Sequence, residues 1–270
     1  MPELPEVETV LRTLEDRIKG EEILGVTVRY PKMIDRSPKA FEAALLHHVF
    51  NTFERRGKYL IFGMGDITLV SHLRMEGKYY ILPDEAPLDR HTHVIFQLKN
   101  KRQLRYHDTR KFGTMELIKG KPDLTQFHGL GPEPFDPDLD AEYLYSICRC
   151  RRVPIKTLLL DQSVIAGIGN IYADEICFAA GIRPGVSCQR ISRKKCAEIL
   201  EATRMILQEA IRCGGTTIRS YTSSLGVTGR FQLQCMIHSR KDCGVCHGPA
   251  KTRRIGGRTS YYCPVCQKSI

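Results

Sequence analysis

The chain has 270 residues, 42% hydrophobic and 26% charged, a composition that is typical of a globular protein and excludes a disordered one. Lys and Arg number 41 against 30 Asp and Glu. The resulting net charge of +11 favours a polyanionic partner, because a basic face gains from counterion release at phosphates. The sequence lacks a run of about 18 apolar residues and opens on acidic ones, so we expect no membrane span, no secretory leader and a cytoplasmic location.

The first predicted element is a helix over residues 5–19. Its opening, MPELPEVETV, concentrates three carboxylates and two prolines in a chain that is otherwise basic. Pro5 suits the first helical position, and Gly20 suits the end of the helix. One apolar stripe at helical spacing predicts a buried face, namely Val7, Val10, Leu11, Leu14 and Ile18. Helix capping explains much of this opening, but it does not explain Pro2 or Glu3.

Residues 22–119 follow with a strand pattern. Short apolar or alternating runs such as KYLIFGM, TLVSHLRM, KYYIL, HVIFQL and QLRYHD are separated by Gly, Asp, Asn and Pro. Two of these runs predict a hairpin that turns near Asn100. We therefore expect a β-rich domain, a β-sandwich with helices at its edge.

The second half of the chain reads as helical. Residues 129–140 are rich in Gly, Pro and Asp and predict a linker, and helical periodicity then covers 154–179 and 193–213. The polar segment 214–234 predicts a long loop, which in an ordered protein is often functional. The predicted fold class is α+β.

The four cysteines nearest the end of the chain form the strongest motif. Cys243-x2-Cys246 and Cys263-x2-Cys266 are separated by sixteen residues, the spacing of a four-thiolate zinc site. Four thiolates leave no open position for a catalytic water, so we expect one structural zinc per chain. The segment between the pairs is basic, which suits a hairpin that presents Arg to DNA. The alternative is a zinc staple for a short tail with a solvated basic face. Most of the other seven cysteines are predicted to be buried thiols.

Two further motifs are weaker. In AGIGN, Gly167 and Gly169 permit tight turns, and the following helix start and Asn170 offer donors to a phosphate, although a plain helix–turn–helix contact explains them equally well. In RRGKYL, Lys58 precedes an apolar strand, and the alternative is an ordinary solvated charge cluster.

A third set of residues mixes basic, apolar and aromatic side chains. SHLRMEGKYY and YHDTRKFGT supply His72, Met75, Arg110 and Phe112. An apolar wedge beside an Arg is what a protein inserts into DNA when it unstacks or flips a base. The alternative is a core Met and Phe next to a surface Arg.

Together these motifs resemble the bacterial formamidopyrimidine-DNA glycosylase family. PELPEVET, GKYLIF, SHLRMEGKYY, DTRKFGT, GLGPEP, GIGNIYADE and the final CxxC…CPVCQK occur in the family's order along nearly the whole chain. The resemblance implies an enzyme of base-excision repair that removes oxidised purines such as 8-oxoguanine and formamidopyrimidines from damaged double-stranded DNA. It also implies cleavage of the strand by AP lyase activity in a monomer, associated with the bacterial nucleoid.

The resemblance implies a role for the opening residues. Met1 would be removed, so that the secondary amine of Pro2 becomes a nucleophile that forms a Schiff base with a sugar carbon. Glu3 would donate a proton, and Glu6 would support the site.

Other roles implied by the resemblance lie further along the chain. Lys58 matches the lysine assigned to β-elimination, and Arg258 matches the zinc-finger arginine assigned to δ-elimination. Asn170 matches the phosphate-binding residue of a helix–two-turn–helix motif. The other DNA-contacting positions implied are His72, Met75, His91, Arg110, Phe112 and Arg151, of which Met75, Arg110 and Phe112 would fill the gap left by a flipped nucleotide.

The resemblance also implies three domains: a catalytic β-sandwich at 1–130, a helix–two-turn–helix domain with a lesion loop at 131–234, and a four-cysteine zinc finger at 235–270. One segment departs from the family pattern. QLQCMIHSRKDC replaces the usual VYGR-G type sequence and is about two residues shorter, so we expect a different approach to Arg258.

Two other classes remain open at this point. The related endonuclease VIII type acts on oxidised pyrimidines, but Leu4 departs from its usual Pro-Glu-Gly-Pro-Glu opening. A catalytically silent DNA-binding zinc protein would share the basic charge, the zinc motif and Asn170. It would not need Pro2, Glu3 and Lys58 together.

Overall fold

The computed structural model describes residues 1–121, 127, 129–216 and 230–269. The chain divides into two compact units. The described residues of the first unit are 1–121, 127 and 214–216, and those of the second are 129–213 and 230–269. Most of the predicted loop at 214–234 lies outside the described residues. Among those described, no helix combines the length and the apolar character needed to cross a membrane.

The first unit is built on two antiparallel sheets of four strands. The strands are β1 Ile23–Val28, β2 Thr52–Arg56, β3 Tyr59–Gly63, β4 Ile67–His72, β5 Lys78–Pro83, β6 Thr92–Leu98, β7 Arg102–His107 and β8 Thr114–Lys119. One sheet has the strand order β1-β6-β7-β5 and the other has the order β2-β3-β4-β8. The hairpin predicted near Asn100 is confirmed, because β6 and β7 pair on either side of it.

The two sheets bury their apolar faces in one shared core. Phe62 of β3 and Tyr79 of β5 lie with ring centroids 6.0 Å apart, and the Tyr79 hydroxyl donates to Ser71 Oγ of β4 at 2.7 Å. The predicted sandwich is therefore confirmed. Helices α1 Leu4–Ile18 and α2 Pro38–Leu45 flank it.

Helix α1 forms where the apolar stripe predicted it, and Val7, Val10, Leu11, Leu14 and Ile18 are all buried. Its polar side is tied to the sheet by Glu8, whose carboxylate accepts from Arg55 Nε of β2 at 2.8 Å and from Arg12 Nε at 2.8 Å. The bond to Arg55 attaches α1 to β2.

The second unit is helical, with α3 Ala141–Cys150, α4 Ile155–Leu160, α5 Asn170–Ala179 and α6 Arg193–Arg212 around a separate core. A two-stranded hairpin, β9 Lys251–Ile255 and β10 Arg258–Tyr262, follows the helices. Residues 256 and 257 form its two-residue turn, and both are glycines with positive φ, which suits the turns that match strand twist.

Candidate active site and nucleic-acid interface

The start of α1 is held by a buried carboxylate. Glu6 Oε2 accepts from the Glu3 backbone N–H at 2.9 Å, and Glu6 Oε1 accepts from Thr216 N at 2.7 Å and from its hydroxyl at 3.0 Å. Pro2 is buried, and only 3% of Glu3 and 1% of Glu6 are exposed. The first residues of the chain therefore have a fixed place inside the first unit.

The amine of Met1 lies among charged groups. Burial lowers its pKa below the ordinary 8.0, Lys58 adds to this effect, and the carboxylates of Glu3, Glu6 and Glu76 oppose it. Lys58 is 7% exposed and follows Gly57, whose positive φ makes the tight turn between β2 and β3. An amine and a buried lysine therefore lie near carboxylates. Such a group of side chains can combine nucleophilic attack by an amine with proton transfer by a carboxyl group.

His72 lies at the end of β4 beside this cluster. Burial lowers its pKa from 6.5 to about 3, and the charges of Arg74 and Lys58 add to the effect. Its Nδ1 accepts from the Arg74 backbone N–H at 2.9 Å, so the neutral ring carries its proton on Nε2. The ring packs edge-on against Tyr59, with centroids 4.6 Å apart.

The predicted wedge residues lie on neighbouring turns. Phe112 is 52% exposed, and the Arg110 guanidinium carbon lies 4.8 Å from the centre of its ring. The hydroxyl of Thr109 donates to a carboxylate oxygen of Glu76, which joins this turn to the turn that carries Met75.

His91 reaches the same region through the backbone. Its carbonyl oxygen accepts from Asp108 N at 3.0 Å, immediately before the turn that carries Arg110. This hydrogen bond joins the segment of His91 to the turn that carries Arg110 and Phe112.

In the second unit, Gln162 closes the turn between α4 and α5. Its side chain accepts from Gly167 N at 2.9 Å and donates to the carbonyl oxygen of Ile168 at 2.8 Å. This places Asn170 at the first residue of α5, where helix N–H groups can face an anion. Arg151 pairs with Asp161 at the other end of the same turn, at 3.2 Å.

The β9–β10 hairpin is attached to that turn through one carbonyl group. The oxygen of Thr259 accepts from Lys156 Nζ at 3.1 Å and from Asn170 Nδ2 at 3.2 Å. Arg258, the preceding residue, is exposed at the start of β10. Asn170 and Arg258 are therefore held close together within the second unit.

The four cysteines enclose the base of the hairpin. Their Sγ atoms all lie within 4.8 Å of one another, with Cys243 and Cys266 at 3.8 Å and Cys246 and Cys263 at 3.5 Å. Tetrahedral zinc with bonds of about 2.3 Å separates its sulfur ligands by about 3.8 Å. The cluster therefore fits a metal ion of that kind.

The segment that departs from the family pattern is anchored to α5. The Glu175 carboxylate accepts from the backbone N–H groups of Met236, Ile237 and His238 at 2.8, 3.0 and 2.7 Å. His238 Nδ1 also lies 2.8 Å from a carboxylate oxygen of Asp174. The approach to the hairpin is thereby fixed in the middle of this segment, at residues 236–238.

Several residues of these clusters were not predicted from the sequence, namely Glu76, Asp108, Lys156, Gln162, Glu175 and Thr216. Asp108 carried a usable signal, because an Asp in a turn often accepts from the backbone N–H two residues further on, as it does here from Arg110. Glu76 and Thr216 carried none, since their roles depend on contacts between distant segments.

Comparison with known proteins agrees with this architecture. The family model for the formamidopyrimidine-DNA glycosylase N-terminal domain matches residues 1–115, and the model for the formamidopyrimidine-DNA glycosylase H2TH domain matches residues 130–222. A formamidopyrimidine-DNA glycosylase of Bacillus licheniformis is 43% identical over 99% of this chain and 100% of its own. One of Listeria monocytogenes is 40% identical over 99% and 100%.

Solved structures agree as well. The complex of the Lactococcus lactis enzyme with DNA containing an abasic site has a TM-score of 0.93 and 38% identity, and it covers 98% of this chain and 99% of that one. The complex of the same enzyme with DNA containing N7-benzyl-Fapy-dG has the same score and identity. With this agreement along the whole chain, an α+β protein whose first residues pack into the first unit and whose hairpin carries four cysteines is a DNA glycosylase of base-excision repair. This chain belongs to the formamidopyrimidine-DNA glycosylase family, which confirms the predicted family, fold class and enzyme class.

Proposed function

We propose that this enzyme removes 8-oxoguanine and formamidopyrimidines from damaged double-stranded DNA and then cleaves the strand through a Schiff base at Pro2. The observation that carries the proposal is the position of Pro2, which is buried next to the buried Glu3, with the charges of Glu3, Glu6 and Lys58 acting on the amine one residue before it. A free amine at Pro2 would attack carbon in its unprotonated form.

The first step follows from that arrangement. After removal of Met1, the Pro2 nitrogen attacks C1′ of the deoxyribose, and the bond between C1′ and the damaged base breaks with its electrons leaving on the base. The proton that the Pro2 nitrogen gives up neutralises the departing base. Glu3, as the proton donor, protonates the sugar ring oxygen as the ring opens, which leaves an iminium ion between Pro2 and C1′. Glu6 keeps Glu3 in place through the 2.9 Å bond to its backbone N–H.

Strand cleavage needs proton transfers at the sugar. We assign β-elimination to Lys58, which is 7% exposed beside the amine. We assign δ-elimination to Arg258, which the two-residue glycine turn presents at the start of β10. The iminium ion withdraws electrons from C1′, so C2′ loses a proton to water, the C3′–O bond breaks, and Lys58 donates a proton to the departing 3′-phosphate.

DNA contacts complete the proposal. Arg151 and Asn170 bind backbone phosphates, and His72 and His91 line the path of the damaged strand. Met75, Arg110 and Phe112 fill the space left by the flipped nucleotide, and Arg110 reads the orphaned partner base. The Arg110 guanidinium has only donors. The pairing edge of cytosine offers it two acceptors, whereas that of adenine offers one acceptor beside a donor amine, so we expect faster cleavage of the lesion opposite cytosine.

Zinc is the metal we assign to the four cysteines, with one structural ion per chain that holds the hairpin and its Arg258. Residues 1–130 then supply the catalytic domain, 131–234 the helix–two-turn–helix domain with the lesion loop, and 235–270 the zinc finger. The monomer acts on DNA in the bacterial cytoplasm and nucleoid, in keeping with its net charge of +11.

Borohydride trapping tests the proposal. Reduction of the Schiff base should join the native protein covalently to a duplex containing 8-oxoguanine, and acetylation of the terminal amine should abolish the adduct. Mass spectrometry of the native N-terminus establishes whether Pro2 is the first residue. A protein with a free terminal proline that binds the duplex but never traps would instead be a silent DNA-binding protein.

A further inference from the structure

The turn that carries Arg110 and Phe112 is organised around one buried carboxylate. Asp108 has no exposed surface, and its Oδ1 accepts from Arg110 N at 2.9 Å. Its Oδ2 accepts from Phe112 N at 2.9 Å and from Gly113 N at 2.8 Å. One side chain therefore satisfies three backbone donors within five residues.

The conformation of this turn is costly without that support. Lys111 has a φ of 58°, a backbone angle that residues other than Gly rarely adopt. A Cβ atom at Gly113 would lie 1.7 Å from the Tyr106 hydroxyl, so the chain passes very close to the core there. Phe112 gains little from burial at 52% exposed, so hydrophobic packing does not hold the turn.

Asp108 also joins this turn to its neighbours. Its N–H donates to the carbonyl oxygen of His91 at 3.0 Å, and its own carbonyl oxygen lies 2.8 Å from His93 Nε2. The next residue, Thr109, donates to Glu76 beside Met75. The segments that carry Met75, His91 and the pair Arg110 and Phe112 are thus joined at residues 108 and 109.

We propose that Asp108 is a positioning residue for base discrimination: it holds the backbone of Arg110 and Phe112 so that the guanidinium reads the orphaned partner base while the ring fills the stack. This inference rests on the proposed function and deepens it. Because Asp108 has no exposed surface, we assign it no contact with DNA: it acts through the backbone N–H groups of Arg110 and Phe112, from which it accepts.

The chemistry of the site requires a carboxylate. An asparagine has one acceptor oxygen and one NH2 donor, so in Asp108→Asn either Arg110 N or the pair Phe112 N and Gly113 N would face a donor. The shape of the side chain is kept. The matched control is Glu42→Gln in the same unit, where Glu42 Oε1 accepts from Val28 N at 3.3 Å, away from the wedge.

The experiment measures single-turnover cleavage of 8-oxoguanine opposite cytosine and opposite adenine. An unfolded fraction of enzyme lowers the amplitude of both reactions equally and does not change the ratio of their rates, so the ratio is insensitive to simple loss of stability. We expect Asp108→Asn to reduce the preference for cytosine by about tenfold and Glu42→Gln to leave it at the native value. A native ratio in Asp108→Asn would overturn the inference.

A double-mutant cycle identifies the route of the effect. If Asp108 acts through Arg110, the ratio in the double variant Asp108→Asn/Arg110→Ala should equal that of Arg110→Ala within about twofold. Independent effects would multiply and would overturn the inference. Failure of the proposed function would look different, because the native enzyme itself would then leave both lesion duplexes uncut.

Discussion

Glu6 and Thr216 are joined by two hydrogen bonds across 210 residues of sequence: Glu6 Oε1 accepts from the Thr216 N–H at 2.7 Å and from its hydroxyl at 3.0 Å. The other oxygen of the same carboxylate accepts from Glu3 N at 2.9 Å. Because all three donors face oxygens, a glutamine cannot replace Glu6 without placing its NH2 group against an N–H.

Glu6→Gln should therefore loosen the start of the chain. We expect the free energy of unfolding to fall by about 1–3 kcal/mol, and borohydride trapping to slow by about ten- to a hundredfold because the nucleophile is displaced. The control is Glu8→Gln on the same helix, which breaks the 2.8 Å ion pair between Glu8 and Arg55 of β2 and should leave trapping near the native rate. Equal trapping rates in Glu6→Gln and native protein would refute this role.

His72 should stay neutral at every pH at which the enzyme works. Burial lowers its pKa from 6.5 to about 3, whereas in the unfolded chain it binds a proton below about 6.5. Its contribution to stability is therefore complete above pH 6.5 and is lost as the pH falls towards 3, at about 1.4 kcal/mol per pH unit. Nitrogen NMR should show the Nε2–H form without titration down to about pH 4.

Denaturant unfolding measures the same effect. Between pH 6.5 and about 5, His72→Gln should lose about 2 kcal/mol less stability than the native protein, since glutamine takes up no proton. A His72 ring that titrates near 6.5 would contradict the assignment.

Local patterns predicted much of this fold. The apolar stripe of α1 gave its buried face, and alternation in HVIFQL and QLRYHD gave the β6–β7 hairpin, because both periods report which side of an element is buried. The spacing of Cys243, Cys246, Cys263 and Cys266 predicted four sulfurs within ligand distance of one another, as observed.

Long-range contacts could not be predicted in this way. Nothing local in the sequence pairs Glu6 with Thr216, or brings Lys156 and Asn170 to the same carbonyl oxygen of Thr259. Such contacts depend on how separate elements pack, which periodicity does not report. The roles of Pro2 and Lys58 came from resemblance to a family and not from any pattern of burial.

The cysteine cluster should hold one zinc ion that is needed for DNA binding. Cys246→Ser removes one of four ligands, so metal analysis should fall from one zinc per chain towards none, and affinity for lesion DNA should fall by about tenfold or more. Cys150→Ser is the matched control, since Cys150 is exposed like Cys246 but lies outside the cluster. Native affinity in a verified zinc-free protein would argue against a binding role for the hairpin.

Arg151 should contribute one phosphate contact. It is exposed at the end of α3, beside the turn that carries Asn170. Each neutralised phosphate adds about 0.9 to the slope of log affinity against log salt, so Arg151→Ala should reduce the slope by about that amount. Arg193→Ala removes an equal charge from the same unit and should leave the slope unchanged. An unaltered slope in Arg151→Ala would exclude the contact.

Lys156→Met should destabilise the second unit strongly. Lys156 and Asp174 form an ion pair of 2.7 Å in which neither side chain is exposed. Removal of one partner leaves the other charge buried, which costs about 3–5 kcal/mol, and Thr259 also loses one of its two donors. Lys195→Met is the control, because the Lys195 ion pair with Glu198 is partly exposed and such pairs contribute about 0–1 kcal/mol. Urea unfolding of the zinc-loaded proteins compares the two variants. An equal loss of unfolding free energy in both would show that the buried pair contributes no more than the partly exposed one.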